Sequence, residues 1–119
     1  MSFAPVVSHP LPEALVELVA QRFRVLGEPM RIKLLDCLRE SDATVSDLQG
    51  ALGASQQNVS KHLGILHAAG MLSRTKQGNT IRYAISDPAV FDLCDQVCGS
   101  VSRQVRDLNA ILHTADSHP

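Results

Sequence analysis

Aromatic residues are scarce in this chain. Its 119 residues include no Trp, one Tyr (Tyr83) and three Phe (Phe3, Phe23 and Phe91). The core must therefore be aliphatic, which suits packed helices. Long apolar runs are missing as well, and none approaches the roughly 20 residues of a membrane-spanning helix. No basic region followed by a long apolar stretch opens the chain, so no secretory signal is expected. Cysteine is limited to Cys37, Cys94 and Cys98. An odd count without an export signal argues for a cytoplasmic protein with reduced thiols rather than a disulfide framework. Neither a Gly-rich phosphate loop nor a nucleophile–base–acid set is visible, so an enzyme is not expected.

Acidic residues are missing from one whole region. The chain carries 11 Lys and Arg against 12 Asp and Glu, a formal net charge of −1. Yet Leu48 to Ser86 contains no Asp or Glu, and it holds Lys61, Arg74, Lys76 and Arg82 together with His62 and His67. The acids stand before it, at Glu13, Glu17, Glu28, Asp36, Glu40, Asp42 and Asp47, and after it, at Asp87, Asp92, Asp95, Asp107 and Asp116. The middle third is thus a basic module, and a local positive face is what phosphate binding needs whatever the total charge.

A chain this short is one domain with a modest core, and sharing core between two copies would suit it. Residues 1–10 hold two prolines and no periodicity, which predicts a loose tail. From Leu11 to Leu26 the apolar residues Leu15, Leu18, Val19, Phe23 and Leu26 fall at helical spacing. Gly27 ends that helix and Pro29 begins a second, with Ile32, Leu34, Leu35 and Leu38 as its buried stripe. A third, short helix is predicted from about Thr44, with Val45, Leu48 and Leu52 inward. Gly53 supplies the break, and Ser55 is a good N-cap for a fourth helix. That helix turns Val59, Leu63, Leu66 and Ala69 inward and stops at Gly70.

Beyond Gly70 the pattern changes. Met71–Gln77 and Thr80–Ile85 read as two strands joined at Gly78-Asn79, by a II′ turn or a longer loop. A last helix runs from about Pro88 to His113, with a stripe of Val90, Cys94, Val97, Val101, Val105, Leu108 and Ile111 or Leu112. So long an amphipathic helix in a small chain needs a large surface to pack on, and a second copy would supply one. The expected organisation is a tail over 1–10, a domain over 11–113 and a second tail over 114–119. The expected fold is mainly α with a small β-hairpin wing: five helices forming a winged helix-turn-helix.

The fourth helix opens Ser55-Gln56-Gln57-Asn58-Val59-Ser60-Lys61-His62. In a helix-turn-helix, the N-terminal residues of the second helix meet base edges in the major groove. Gln and Asn can make paired hydrogen bonds to adenine, and Ser can donate or accept. Gln56, Gln57, Ser60 and Lys61 lie off the apolar face, and Ser55 with the free N–H groups at the helix start suits a phosphate. Asn58 and His62 complete the candidate set on this helix. The hairpin adds Arg74, Lys76 and Arg82 as positioning contacts to flanking backbone or minor groove.

These residues resemble the ArsR/SmtB family of metal- and stress-responsive repressors. The matching text is Leu26-Gly27-Glu28-Pro29-Met30-Arg31-Ile32-Lys33-Leu34-Leu35, Val45-Ser46-Asp47-Leu48, Leu52 through Leu63, Leu66 through Leu72, and Gly78 through Tyr83. The similarity spans roughly residues 15–87. It implies a homodimer through the first and last helices, binding of double-stranded DNA at an inverted-repeat operator, no membrane association, and release when an effector binds.

The family's sensor sites are differently placed in different members. Its arsenic-type Cys-Val-Cys is replaced here by Thr44-Val45-Ser46. The zinc-type Asp-x-His of the last helix becomes Asp92-Leu93-Cys94, with no later His-x-x-His. The cadmium/lead-type cysteine pair of the recognition helix is absent. Cys94 and Cys98 stand four apart on one helix face. They could share a soft metal ion, with Cys37 as a third ligand, and As(III) or Sb(III) would accept three sulfurs. A second reading is a redox or reactive-sulfur switch between Cys37 and a last-helix cysteine, as in some members, although Cys37 is one residue from their position. A third is that the thiols are ordinary core residues, since Cys is often buried. His113 and His118 read as solvated. Two rivals complete the field: a repressor that senses nothing, and a winged helix that binds proteins and no DNA.

Overall fold

The computed structural model describes residues 7–116. Met1–Val6, with Phe3, and Ser117–Pro119, with His118, lie outside the described residues, so the two expected tails are described only in part. The elements run α1 (Glu13–Leu26), α2 (Pro29–Leu38), β1 (Ala43–Thr44), α3 (Val45–Leu52), α4 (Gln56–Ala68), β2 (Leu72–Gln77), β3 (Thr80–Ile85) and α5 (Ala89–Asp116). The described residues group into two compact units, one up to Ser86 and one from Asp87.

Local chemistry sets the boundaries in the first unit. Pro29 occupies the first turn of α2, and the Glu28 side chain accepts a hydrogen bond from the Arg31 N–H at 3.1 Å. A proline there removes an N–H that would have no helical partner in any case. α3 begins with a capping box: the Asp47 N–H donates to Thr44 Oγ1, and the Thr44 N–H donates to Asp47 Oδ2, each at 3.1 Å. Two otherwise unpartnered donors are satisfied at once. Those hydrogen bonds hold the Asp47 carboxyl below its ordinary pKa. Gly53 closes α3 in the left-handed conformation at φ 63°, where a side chain would be strained. Ser55 then caps α4, its Oγ accepting from the Asn58 N–H at 3.1 Å. A three-residue turn, Gly53-Ala54-Ser55, thus joins two short helices.

The core is aliphatic apart from Tyr83. Leu34, Leu35 and Leu38 of α2, Leu48 of α3, and Val59, Leu63 and Leu66 of α4 are buried with Met71, Leu72 and Tyr83. α4 packs against α2, α3 and β2. Ile32 departs from the expected stripe and is exposed. Leu34, Leu35 and Leu38 already fill the inward arc of α2, and Ile32 falls outside it.

The wing is a three-stranded antiparallel sheet in the order β1-β3-β2. The sequence showed only two of these strands. β1 is a two-residue strand pairing Ala43 with Tyr83 and Thr44 with Arg82. A strand so short has no alternation to read, and Thr44 serves at once as its end and as the cap of α3. At the tip, Gly78 has φ 62° and Asn79 does not have a positive φ. Positive φ at the first central residue alone is the mark of a II′ hairpin, one of the two turns expected.

α1 and α5 leave apolar side chains uncovered. On α1, Leu18 and Phe23 are more than half exposed, with Val16 and Val19 close behind. On α5, Val90 is buried, but Val97, Val101, Val105, Leu108, Ile111 and Leu112 are exposed along one stripe. α5 has 28 residues and continues to Asp116, past the expected end at His113. At 1.5 Å per residue it is about 42 Å long. No helix among the described residues is long and apolar enough to cross a membrane.

Candidate nucleic-acid interface

α4 has two faces. Val59, His62, Leu63 and Leu66 recur at spacings of three and four and are buried. The opposite face carries Gln56, Gln57, Ser60 and Lys61, all exposed, with Ser55 exposed just before the helix and Asn58 half-buried. Gln57 and Lys61 lie one turn apart, as do Gln56 and Ser60. Gly64 continues this face, and a Cβ there would meet no atom within 4 Å. The outward surface of α4 is therefore open, uncharged apart from one ammonium, and rich in groups that donate and accept hydrogen bonds. The fully buried inner face fixes its orientation in the fold.

His62 does not belong to that surface. It was expected among the DNA-contacting residues, but it is 7% exposed. Its Nδ1 lies 3.2 Å from Arg31 Nη1 and 3.8 Å from a Glu28 carboxylate oxygen. The physical reason is helical period: position 62 follows 59 by three and precedes 66 by four, which is the apolar stripe. The same spacing was legible in the sequence, and a polar side chain within such a stripe signals a buried partner. Arg31 is that partner. Arg31 lies on α2, upstream of the acid-free region that holds His62.

The wing separates its three cations. In the β2–β3 register Arg74 faces Tyr83, Lys76 faces Ile81 and Thr75 faces Arg82. Directly paired residues point to the same side of a sheet, and neighbours along a strand to opposite sides. Arg74 and Lys76 therefore share a face beyond the buried Tyr83, exposed near the tip. Arg82 projects from the other face, where its Nη2 donates to the Asp42 carboxylate and to the Asp42 carbonyl oxygen, each at 3.2 Å. That carboxylate raises the pKa of the guanidinium. Arg82 was expected beside Arg74 and Lys76 as a positioning contact. The structure pairs it instead with Asp42, the residue just before β1.

The three cysteines form no disulfide. Cys37 on α2 is half-buried, and burial, with the Asp36 carboxylate next to it, pushes its pKa above the ordinary thiol value. Cys94 is half-buried and Cys98 exposed, one turn apart on α5. Among the described residues no group of three or more His, Cys, Asp or Glu is placed to hold a metal ion.

A short helix, a glycine turn, a second helix with an open polar face and a basic hairpin make a winged helix-turn-helix. Residues 28–74 match the family model for bacterial regulatory proteins of the arsR family. The HTH-type transcriptional regulator Rv0081 of Mycobacterium tuberculosis is 33% identical over 101 residues, covering 84% of this chain and 89% of its own. The chain belongs to the ArsR family. The crystal structure of M. tuberculosis Rv0081 matches this ArsR-family chain with a TM-score of 0.73 at 32% identity, over 81% of this chain and 97% of that one. The antimony-specific transcriptional repressor AntR matches with a TM-score of 0.74 at 28% identity, over 89% and 98%. The HTH-type transcriptional repressor SmtB of M. tuberculosis is 35% identical over 83 residues, 70% of this chain and 62% of its own. This ArsR-family chain is thus a transcriptional repressor of the ArsR/SmtB type, with a DNA-binding winged helix.

Proposed function

We propose that the chain works as a homodimer that reads an inverted-repeat, double-stranded operator with α4 in the major groove. The observation that carries this reading is the open face of Gln56, Gln57, Ser60 and Lys61 over a fully buried apolar face. The amides and hydroxyl suit base edges. Lys61 and the start of the helix, at Ser55 and Asn58, suit phosphates. Arg74 and Lys76 on the wing contact flanking backbone. The uncovered stripes of α1 and α5 supply the dimer surfaces, since apolar patches of that extent mark interaction sites.

The test is fluorescence anisotropy on an inverted repeat from upstream DNA, against a scrambled duplex, at several salt concentrations. Tight binding to the repeat that weakens steeply with salt supports the reading. Weak, salt-insensitive association with both duplexes would instead identify a protein-interaction winged helix.

For release, the thiols of α5 are the reading the observations favour. Cys98 is exposed and one turn from Cys94, and paired thiolates suit a thiophilic metalloid such as As(III) or Sb(III). Likeness to the antimony-specific AntR supports the same chemistry. Cys37 is a poorer participant, because burial and the neighbouring Asp36 carboxylate leave it with less thiolate than an ordinary cysteine. Arsenite or antimonite should release the reduced protein from DNA, and Cys94→Ser or Cys98→Ser should abolish that release. Release by an oxidant or persulfide alone would make the pair a redox or sulfur switch. Indifference to all of them would leave a repressor without a thiol effector.

A further inference from the structure

One side chain ties three helices together. The Arg31 guanidinium donates from Nε to the Val25 carbonyl oxygen and from Nη2 to the Arg24 carbonyl oxygen, at 3.4 Å for the second. Both acceptors belong to the last turn of α1, whose carbonyl end attracts a cation; the Arg24 oxygen also accepts from the Gly27 N–H at 3.3 Å. The third arm, Nη1, meets His62 Nδ1 at 3.2 Å. The Arg31 backbone N–H is itself held by Glu28 at the start of α2. A guanidinium has donors and no acceptor. In this contact the guanidinium therefore donates and His62 Nδ1 accepts.

His62 sits at the middle of α4, directly after Lys61 and one turn beyond Asn58. Apart from the hydroxyl-bearing Tyr83, it is the one buried polar side chain among the described residues. An apolar residue would fill the same space without directional bonding. The imidazole instead fixes the rotation of α4 relative to the end of α1, because a hydrogen bond to a rigid fork depends on angle as well as distance.

We infer that His62 and Arg31 are positioning residues for operator reading: their hydrogen bond locks the recognition helix α4 to the C-terminal end of α1. This inference rests on α4 being the reading helix. It adds that operator specificity depends on a strut outside the DNA contact surface, running to a helix whose apolar face is uncovered. Closing that face in a dimer and aiming α4 at bases would then share one guanidinium.

The test uses the shape of the acceptor. Asn places Oδ1 where imidazole has Nδ1, three bonds from Cα. Leu branches at the same carbon with no acceptor. The full chain is compared as wild type, His62→Asn and His62→Leu, measuring affinity for the operator repeat and for a scrambled duplex, with circular dichroism as a check on folding. The expected result is a loss of about tenfold or more in the ratio of specific to non-specific affinity for His62→Leu. His62→Asn should recover most of it, with non-specific affinity unchanged in both. Arg31→Lys, which keeps the charge but cannot span the α1 carbonyls and the imidazole together, should lose specificity like His62→Leu, and it decides the matter if His62→Leu does not fold. An undiminished ratio in His62→Leu or Arg31→Lys would overturn the inference, as would equal losses in the Asn and Leu variants. Failure of the wild type to prefer the repeat would overturn the DNA reading itself.

Discussion

Replacing Leu108 by Ala should weaken the dimer without disturbing the helix that carries it. Leu108 is 55% exposed in the single chain. Full burial of a leucine contributes about 1.5–3 kcal/mol, so covering its remaining half contributes about 1 kcal/mol per chain. A two-fold axis presents the substitution twice, which gives about 2 kcal/mol per dimer. At about 1.4 kcal/mol per decade this is roughly a 30-fold rise in the dimer dissociation constant. Alanine is the better helix former, so α5 itself should keep its helicity. Sedimentation equilibrium over a dilution series reads the association constant, and circular dichroism reads the helix. A wild-type protein that stays monomeric, or a Leu108→Ala variant that associates as tightly as wild type, would refute the assignment of this stripe to the dimer.

Further expectations follow from charges and thiols. Lys76→Ala should lower the salt slope of DNA affinity by about 0.9 for each phosphate that the ammonium neutralises. Arg82→Ala should leave the slope unchanged, because Asp42 already holds that guanidinium; a matching drop would show that Arg82 reaches DNA. Asp47 has a carboxyl pKa lowered from 3.8, so its contribution to stability is complete above that value. The contribution is lost as pH falls through the lower folded value. The difference in thermal stability between wild type and Asp47→Ala should accordingly shrink on acidification below 3.8, and a constant difference would contradict the capping account. In a Cys94→Ser/Cys98→Ser background, the alkylation rate of Cys37 should rise with a midpoint above the ordinary value of 9.0. A midpoint below it would make Cys37 a reactive thiol after all.

Much of this architecture could be read from the chain because local signals agreed with one another. Pro29, Ser55 and Gly53 punctuate helices whose apolar residues recur at the right period, and the hairpin strands observed begin and end within a residue of those expected. The failures have identifiable causes. β1 is two residues long, so no pattern marks it, yet it turns Arg82 from a candidate DNA contact into a partner of Asp42. Arg82 also shows the limit of counting charges along a sequence: its separation from Arg74 and Lys76 follows from strand register, which a charge count does not contain. His62 was misplaced for a different reason. Its position in the 59-62-63-66 stripe was legible, but its chemistry suggested phosphate, and period was the better guide. Ile32 and the stripes of α1 and α5 carry the same apolar signal as the core, and only the fold shows which of these residues the single chain leaves uncovered.

The central claim is that α4 reads DNA through its open polar face. The most direct test is operator affinity of a Gln57→Ala/Lys61→Ala double variant, with its dimer association measured alongside. Both side chains are exposed, so the fold and the dimer should be untouched. The account predicts a loss of affinity for the repeat that is largest at low salt and greater than the loss for scrambled DNA. Operator affinity equal to wild type, in a variant that still dimerises, would contradict it.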